Sequence, residues 1–172
     1  MDECSPRQAM AEGTLFLGHV RLPFYPEGSG YMRIALETLE TKPDTSDYYE
    51  FLYGQWKGEH WGSDSVYLQV VVFELVAPVL RAVPGLNPTG PGSFSASSVK
   101  KIVAALRSFS SEVAKADRPQ QIWGGDWKWI SEQLRIHSWP TAKKSINRML
   151  KDLAEWFGEA ADRDETVAVL GL

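Results

Sequence analysis

The run from Val66 to Val83, VYLQVVVFELVAPVLRAV, constrains the fold of this chain more than any other stretch. It is the most apolar part of the sequence, and three polar side chains interrupt it: Gln69, Glu74 and Arg81. An element that is apolar on nearly all sides lies inside a folded protein rather than on its surface. The valine content is typical of a strand, whereas the length favours a helix that Pro78 kinks or ends. We predict a helix, with a central strand over Val66–Phe73 as the alternative.

The residues before this run predict a small antiparallel sheet. Alternation over Thr14–Leu22 is typical of a strand, and the turn residues that follow predict a hairpin with Tyr31–Thr41 as its second strand. The alternative for Tyr31–Thr41 is a short helix with Ile34, Leu36 and Leu39 on its apolar face. Residues 1–13 have no periodicity and predict a loose N-terminus. Lys42–Ser65 has no sustained period and several glycines, so we predict a long loop there, with one helical turn near Asp47–Tyr53.

The residues after the run predict a helical layer. Pro84–Gly92 contains three prolines and three glycines and breaks the chain sharply. Ser95–Ala116 has apolar residues at three- and four-residue steps, which makes it the clearest helix in the sequence. The same kind of spacing predicts a shorter helix over Trp127–Ile136.

The end of the chain predicts one more helix and one strand. A helix begins at Trp139, where a proline suits the first turn, and Gly158 is a typical residue for its end. Val167–Leu170 is short and apolar and predicts a closing strand. The sequence as a whole predicts a single domain over residues 1–172 of the α+β class. It consists of an N-terminal β-hairpin or small antiparallel sheet packed against a layer of about four helices.

Cysteine content and the N-terminus bear on the cellular compartment. Cys4 is the one cysteine, so an internal disulfide is excluded and the fold suits a reducing compartment. The first residues are acidic where a signal peptide is basic, and no apolar segment follows them. The longest apolar run is too short and too often interrupted to span a membrane. We therefore predict a cytoplasmic protein without membrane contact.

Charge is distributed unevenly along the chain. Residues 1–65 contain eleven acidic and five basic residues, whereas residues 66–172 contain eleven acidic and thirteen basic residues. Such an asymmetry steers a charged partner towards one part of a protein. Because nucleic acid requires a basic face, the acidic first third argues against nucleic acid and favours a basic protein as the partner.

The acidic part of the chain is also rich in aromatic residues. Acidic side chains attract a basic partner over long distances, while Tyr and Trp supply contact area at a low cost in conformational entropy. The alternative is an ordinary charged loop whose aromatic residues pack into the core. We predict a partner-binding surface formed by the following residues: Glu40, Asp44, Asp47, Tyr48, Tyr49, Glu50, Trp56 and Trp61.

One histidine with nearby carboxylates is the strongest candidate for catalysis. His60 lies close to Glu59 and Asp64 in the sequence, and a histidine beside a carboxylate can act as a general base or bind a metal ion. The sequence contains no HExxH, no Cys/His cluster and no GxSxG, so we predict no metal, no cofactor and no nucleophile. Glu74 could join such a site as a catalytic acid, but an ion pair with Arg81 is the stronger interpretation.

Three tryptophans lie close together around Gly124 and Gly125. Trp123 and Trp127 are four residues apart and therefore share one face of a helix, and Trp129 follows. Stacked aromatic side chains can bind sugars or bases. The alternative is that they cover the core between two helices, which the high average burial of tryptophan favours.

A small, mildly acidic α+β domain without disulfides or an evident catalytic group resembles the immunity proteins with which bacteria neutralise toxins. The resemblance implies a non-enzymatic cytoplasmic protein whose acidic, aromatic surface covers the basic cleft of a cognate toxin. Two alternatives remain open. One is a small hydrolase that uses His60 with the nearby carboxylates, and the other is a small-ligand-binding domain that uses Trp123, Trp127 and Trp129.

Overall fold

The structure is a computed structural model, and it describes residues 15–17, 20–22, 33–41, 47–60, 62–87 and 90–171. Contacts between residues divide the chain into a short unit, Met1–Tyr31, and a main unit, Met32–Leu172. In the short unit, strand β1 (Leu15–Leu17) pairs antiparallel with strand β2 (Val20–Leu22). The single strand that we predicted over Thr14–Leu22 is therefore wrong, because its two halves pair with each other. The single domain over residues 1–172 stays a prediction.

The main unit contains an antiparallel sheet of four strands, which are β3 (Tyr48–Tyr53), β4 (Val66–Gln69), β5 (Gly92–Phe94) and β6 (Val167–Gly171). Their order across the sheet is β4–β3–β6–β5. The predicted closing strand is confirmed as β6, and it lies between β3 and β5 rather than at an edge. Val167–Leu170 is buried, which explains why its sequence is apolar without alternation. The sheet is assembled from distant parts of the chain and not from the N-terminus alone.

Strand β3 occupies the segment where we predicted a helical turn, so that prediction is wrong. Its sequence, YYEFLY, is rich in the aromatic residues that favour strands. Both sides of β3 are hydrogen-bonded, since Phe51 lies opposite Val66 on one side and Val169 on the other. These partners come from distant parts of the chain, and they override the weak local pattern.

The predicted second strand of the N-terminal hairpin is also wrong in its partner and its length. Of Tyr31–Thr41, the structure describes residues 33–41, and the strand-like pairing there is an isolated antiparallel bridge between Glu37 and Tyr67. The two residues exchange two backbone hydrogen bonds, each of 2.9 Å. This bridge places Glu37 beside β4, on the side opposite β3.

The run Val66–Val83 contains both of the alternatives that its sequence left open. Its first four residues are β4, and helix α1 (Val70–Arg81) follows directly. The backbone N–H of Val70 donates to the carbonyl oxygen of Asp47 at 3.1 Å, which ties the start of the helix to the start of β3. Pro78 lies inside the helix at an exposed position. The prediction of a helix is therefore right from residue 70 and wrong for residues 66–69.

Four further helices follow, α2 (Ala96–Lys115), α3 (Gln120–Trp123), α4 (Asp126–Gln133) and α5 (Trp139–Asp162). The long helices α2 and α5 pack against each other, and α1 contacts α2. Ser95 caps α2, since its hydroxyl accepts the N–H of Ser98 at 3.2 Å. The predicted end of α5 at Gly158 is wrong, because the helix continues one turn further.

The α+β class predicted from the sequence is confirmed by this sheet and these helices. The buried core joins them, with Phe51 and Leu68 from the sheet, Phe73 from α1, Leu106 from α2 and Phe157 from α5. In the part of the chain that the structure describes, every helix is too short or too polar to cross a membrane.

Candidate functional site

The predicted site residues surround the loop that joins β3 to β4, residues 54–65, which we call the β3–β4 loop. Two of its glycines have positive φ, +79° at Gly54 and +91° at Gly58, a region that residues with a side chain rarely adopt. Residues 55–60 and 62–64 are all exposed. The loop therefore projects from the end of the sheet and presents nearly all of its described side chains to solvent.

A buried glutamate holds this loop against the sheet. Glu50 is 0% exposed, and its Oε1 accepts the backbone N–H of Gly62 at 3.1 Å and the hydroxyl of Tyr67 at 3.2 Å. A carboxylate that is removed from water requires such donors, and hydrogen bonds to an ionised acceptor are stronger than neutral ones. Glu50 thus connects β3, the β3–β4 loop and β4 through one side chain.

Tyr67 remains a hydrogen-bond donor in this network over the whole physiological pH range. Burial, followed by the negative charge of Glu50, raises the pKa of Tyr67 to about 12. The neutral phenol therefore persists well above neutrality. Its hydroxyl also lies 3.3 Å from the carbonyl oxygen of Gly62. Both the N–H and the carbonyl oxygen of Gly62 therefore lie close to the buried side chains of Glu50 and Tyr67.

His60 lies beside this buried carboxylate, and not beside the two acids that its sequence neighbours suggested. Its Nδ1 is 3.6 Å from Glu50 Oε2, whereas Glu59 and Asp64 are exposed on the loop. The imidazole is partly exposed, and its ring centroid is 5.4 Å from that of Trp56. His60 is therefore close to Glu50, the residue that holds the β3–β4 loop against the sheet.

Glu74, the other acid considered for catalysis, forms the predicted ion pair on α1. Its two carboxylate oxygens accept from the guanidinium of Arg81 at 2.8 and 3.1 Å, a bidentate geometry across two turns of the helix. Both oxygens are therefore engaged by a neighbour on the same helix, and the structural interpretation of this residue is confirmed.

Two of the eight residues predicted to bind a partner are interior, which corrects that part of the prediction. Tyr48 and Glu50 are both 0% exposed, and both lie on β3 with their side chains on the same face of the sheet. The Tyr48 ring meets the Tyr67 ring edge-on, with 6.4 Å between centroids. These side chains fix the sheet and the loop, and they offer no contact area to another protein.

Tyr49 and Asp47 are half-buried at the start of the same strand. The Tyr49 ring stacks on Phe73 of α1 with 3.7 Å between centroids and 19° between planes. Burial, and then the charge of Glu74, raises the pKa of Tyr49. Asp47 accepts the first N–H of α1 through its backbone. Both residues contribute mainly to the junction between β3 and α1.

Glu40 and Trp56 are the predicted partner-binding residues that the structure places on the surface. Trp56 is 37% exposed, and its indole N–H donates to the carbonyl oxygen of Glu59 at 2.8 Å, which fixes the ring within the loop. Glu40 is exposed in the turn after the Glu37 bridge. Asp44 and Trp61 lie outside the described residues.

The tryptophans near Gly124 form a packed cluster whose third member comes from α5. Trp123 and Trp127 are each 6% exposed, and Trp139 meets both of them edge-on with centroids 6.1 and 5.5 Å away. The Trp123 indole donates to the carbonyl oxygen of Leu75 at 3.2 Å. Trp129, which the sequence grouped with them, is half-buried and outside these ring contacts. The cluster covers the core between helices, as the alternative interpretation held.

Sequence reasoning missed two residues of the loop region. We predicted Glu50 at the surface, whereas it is buried on β3. Leu39 is 40% exposed, and nothing in its local sequence distinguishes it from a core leucine. Among the described residues, no group of three His, Cys, Asp or Glu side chains is placed to hold a metal ion.

Comparisons do not assign the chain to a group of known proteins. No model of a protein family, no curated protein and no solved structure matches it. The functional inference therefore rests on the geometry of its own residues.

Proposed function

We propose that this chain is a non-enzymatic protein-binding domain that docks through the end of the sheet at the β3–β4 loop. We call this surface the acidic end and define it by five exposed residues: Leu39, Glu40, Trp56, Glu59 and Asp64. The observation that carries the proposal is the exposure of Leu39 and Trp56. These are the two large hydrophobic side chains with substantial exposure in the described chain, at 40% and 37%.

A turn and a loop present the two residues to solvent. Glu37 pairs antiparallel with Tyr67, and Leu39 lies in the turn that follows, where the N–H of Thr41 donates to the carbonyl oxygen of Thr38 at 3.1 Å. Trp56 lies on the β3–β4 loop. Exposed apolar side chains within a polar surround are typical of protein-binding surfaces, and tryptophan is enriched in binding hot spots.

The charges around these two residues favour a basic partner. Glu40, Glu59 and Asp64 are exposed acids, and Lys57 is the exposed lysine within the same loop. An excess of one charge speeds the association of an oppositely charged protein and selects against partners of the same charge. Apolar contacts at Leu39 and Trp56 then slow dissociation, since differences in affinity between related complexes lie mostly in the dissociation rate.

The loop is also held in place before any partner binds. Glu50 accepts from Gly62 in the loop, and Trp56 donates to Glu59 within it. A surface that is already ordered loses less conformational entropy on binding, which raises the affinity for a given contact area. These internal hydrogen bonds therefore support a recognition role for the β3–β4 loop.

The proposal extends to the class of protein and its compartment. A mildly acidic domain with one cysteine and a preformed acidic, aromatic docking surface fits a bacterial immunity protein in the cytoplasm, bound to the basic cleft of a cognate toxin. The product of a neighbouring toxin gene is the partner to test.

The test measures the affinity of the purified domain for that gene product by isothermal titration calorimetry, and the association rate at several salt concentrations by stopped-flow fluorescence. We expect Trp56→Ala to weaken binding by about 2 kcal/mol or more, as truncation of a hot spot does. Glu40→Lys should slow association and reduce its dependence on salt. Glu132→Lys, an exposed charge reversal on α4, is the matched control and should change neither. Unaltered affinity for Trp56→Ala would refute the acidic end as the docking surface.

A further inference from the structure

A cavity of about 620 Å³ opens between residues 33–36 and the region where α4 leads into α5. This volume lies within the range of pockets that hold small molecules. The lining comes from three parts of the chain, namely the segment before the Glu37 bridge, the connection 135–138 and the first half of α5. The β3–β4 loop does not contribute to it, so this cavity, which we call the basic groove, is a site separate from the acidic end.

Positive charge dominates the lining of the basic groove. Three arginines, Arg33, Arg135 and Arg148, line it together with His137, and Asp152 is the one carboxylate among its described lining residues. Asp152 lies 4.0 Å from the Nε of Arg148, while Arg33 and Arg135 form no ion pair with any described residue. In a protein of net charge −4, this local excess of guanidinium groups requires an explanation.

The start of α5 adds to the positive potential in the groove. The helix is 24 residues long and begins at Trp139, and Thr141 of its first turn lines the cavity. Its N-cap, Ser138, also lines the groove and makes no capping hydrogen bond through its side chain. The helix dipole and the backbone amides of Trp139 and Thr141 favour an anion at this position, whereas Pro140 of the same turn has no N–H to donate.

The backbone at Arg135 adopts the left-handed conformation at the end of α4. Arg135 has φ +51°, the left-handed conformation that follows a helix and that glycine adopts at a lower energy than other residues. The N–H of Ile136 donates to the carbonyl oxygen of Ser131 at 2.8 Å, which closes the end of α4 in this geometry. An arginine here costs backbone energy that a glycine avoids, and it places a guanidinium at the groove.

Apolar side chains form the rest of the lining. Ile34, Leu36, Ile136 and Met149 contribute to the same cavity as the arginines. A ligand that complements both the arginines and the apolar side chains carries a compact double negative charge at one end and an apolar or aromatic body at the other. Guanidinium groups are the preferred partners of phosphate because their fork of N–H donors matches its oxygen atoms.

We propose that the basic groove binds a small phosphomonoester. The phosphate is held by Arg33, Arg135 and Arg148 near the first turn of α5, and the body of the ligand lies against Ile34 and Met149. This inference is independent of the proposed protein-binding function, since it uses no residue of the acidic end.

The test is calorimetric titration of the full chain with three probes, which are phenyl phosphate, inorganic phosphate and phenol. Phenyl phosphate should bind more tightly than inorganic phosphate because its ring adds apolar contact, and phenol should not bind. Arg33→Gln and Arg135→Gly should each weaken phenyl phosphate binding about tenfold, the effect of one lost charge-assisted hydrogen bond. Arg135→Gly should at the same time raise the thermal midpoint, since it relieves the left-handed backbone.

Two variants control for other effects of the same changes. Arg118→Gln removes an exposed arginine away from the groove, and Asp164→Gly relaxes the other described non-glycine residue with positive φ, +52°; neither should alter the affinity. Three results would each overturn the proposal. They are the absence of phenyl phosphate binding, an unchanged affinity in the Arg33→Gln and Arg135→Gly variants relative to the unaltered chain, and a loss of affinity in Arg118→Gln as large as in those two variants. Arg33 lies outside every helix and strand, so its variant tests the site even if Arg135→Gly unfolds.

Discussion

Replacement of Glu50 is the sharpest test of how the β3–β4 loop is held. The carboxylate is fully buried and accepts from Gly62 and Tyr67, and each hydrogen bond to an ionised group contributes about 1.5–3 kcal/mol. Gly62 is exposed, so its N–H can donate to water in the variant, whereas the Tyr67 hydroxyl stays buried. We therefore expect Glu50→Ala to lower the free energy of unfolding by about 3–5 kcal/mol.

A second substitution at the same position separates charge from hydrogen bonding. Glu50→Gln keeps one acceptor oxygen and removes the charge, so its cost should be smaller, about 1–2 kcal/mol. Glu112→Ala is the control, because this glutamate is exposed on α2 and its loss should change stability by no more than about 0.5 kcal/mol.

Urea unfolding followed by tryptophan fluorescence measures these differences, and hydrogen exchange at the Gly62 amide reports on the loop alone. Exchange of that amide should accelerate in Glu50→Ala more than global destabilisation requires. A loss below about 1 kcal/mol for Glu50→Ala, or the same loss for alanine and glutamine, would contradict the anchoring role of this carboxylate, given total stabilities of about 5–15 kcal/mol.

The remaining predictions concern pH, capping and packing. Because the pKa of Tyr67 is raised to about 12 in the folded protein against 10.0 for the free side chain, the contribution of Tyr67 to stability should be constant below pH 10 and be lost between these two values; Tyr67→Phe should show a smaller decline in alkaline urea titrations. Ser95→Ala removes the acceptor for Ser98 N–H and should cost about 1 kcal/mol, whereas Ser97→Ala should not; equal losses would contradict the capping assignment. Trp123→Ala removes a 6% exposed indole and its hydrogen bond to α1 and should lower stability by about 3–5 kcal/mol, and a loss below 1 kcal/mol would contradict its core role.

The helices were largely predictable because their signals are local. The apolar spacing of α2, the serine before it and the proline in the first turn of α5 each act within a few residues, so the sequence alone determines them. The short apolar strand β6 was predictable for the same reason. The α+β class follows from these elements together.

The sheet was less predictable because its pairing is not local. The local sequence of β3 predicts a helical turn. The strand forms instead because its hydrogen-bond partners lie near residues 66 and 169, too far along the chain for any short segment of sequence to include them. The run Val66–Val83 has residues that favour both strand and helix. The pairing with β3 ends at Gln69, which lies opposite Tyr48 at the start of β3, and the helix begins at the next residue. Strand preference depends on such cross-strand neighbours more than on the residue itself.

The same distinction separates the residues of the candidate site. The sequence by itself determined that acidic and aromatic residues are concentrated before residue 65 and that Glu74 and Arg81 can meet on one helix. Only the tertiary structure decided that Glu50 and Tyr48 are interior, that Leu39 and Trp56 are exposed, and that Arg33 lines a cavity with Arg135 and Arg148. Burial and long-range proximity depend on which elements pack together, and that is a property of the folded chain as a whole and not of any segment.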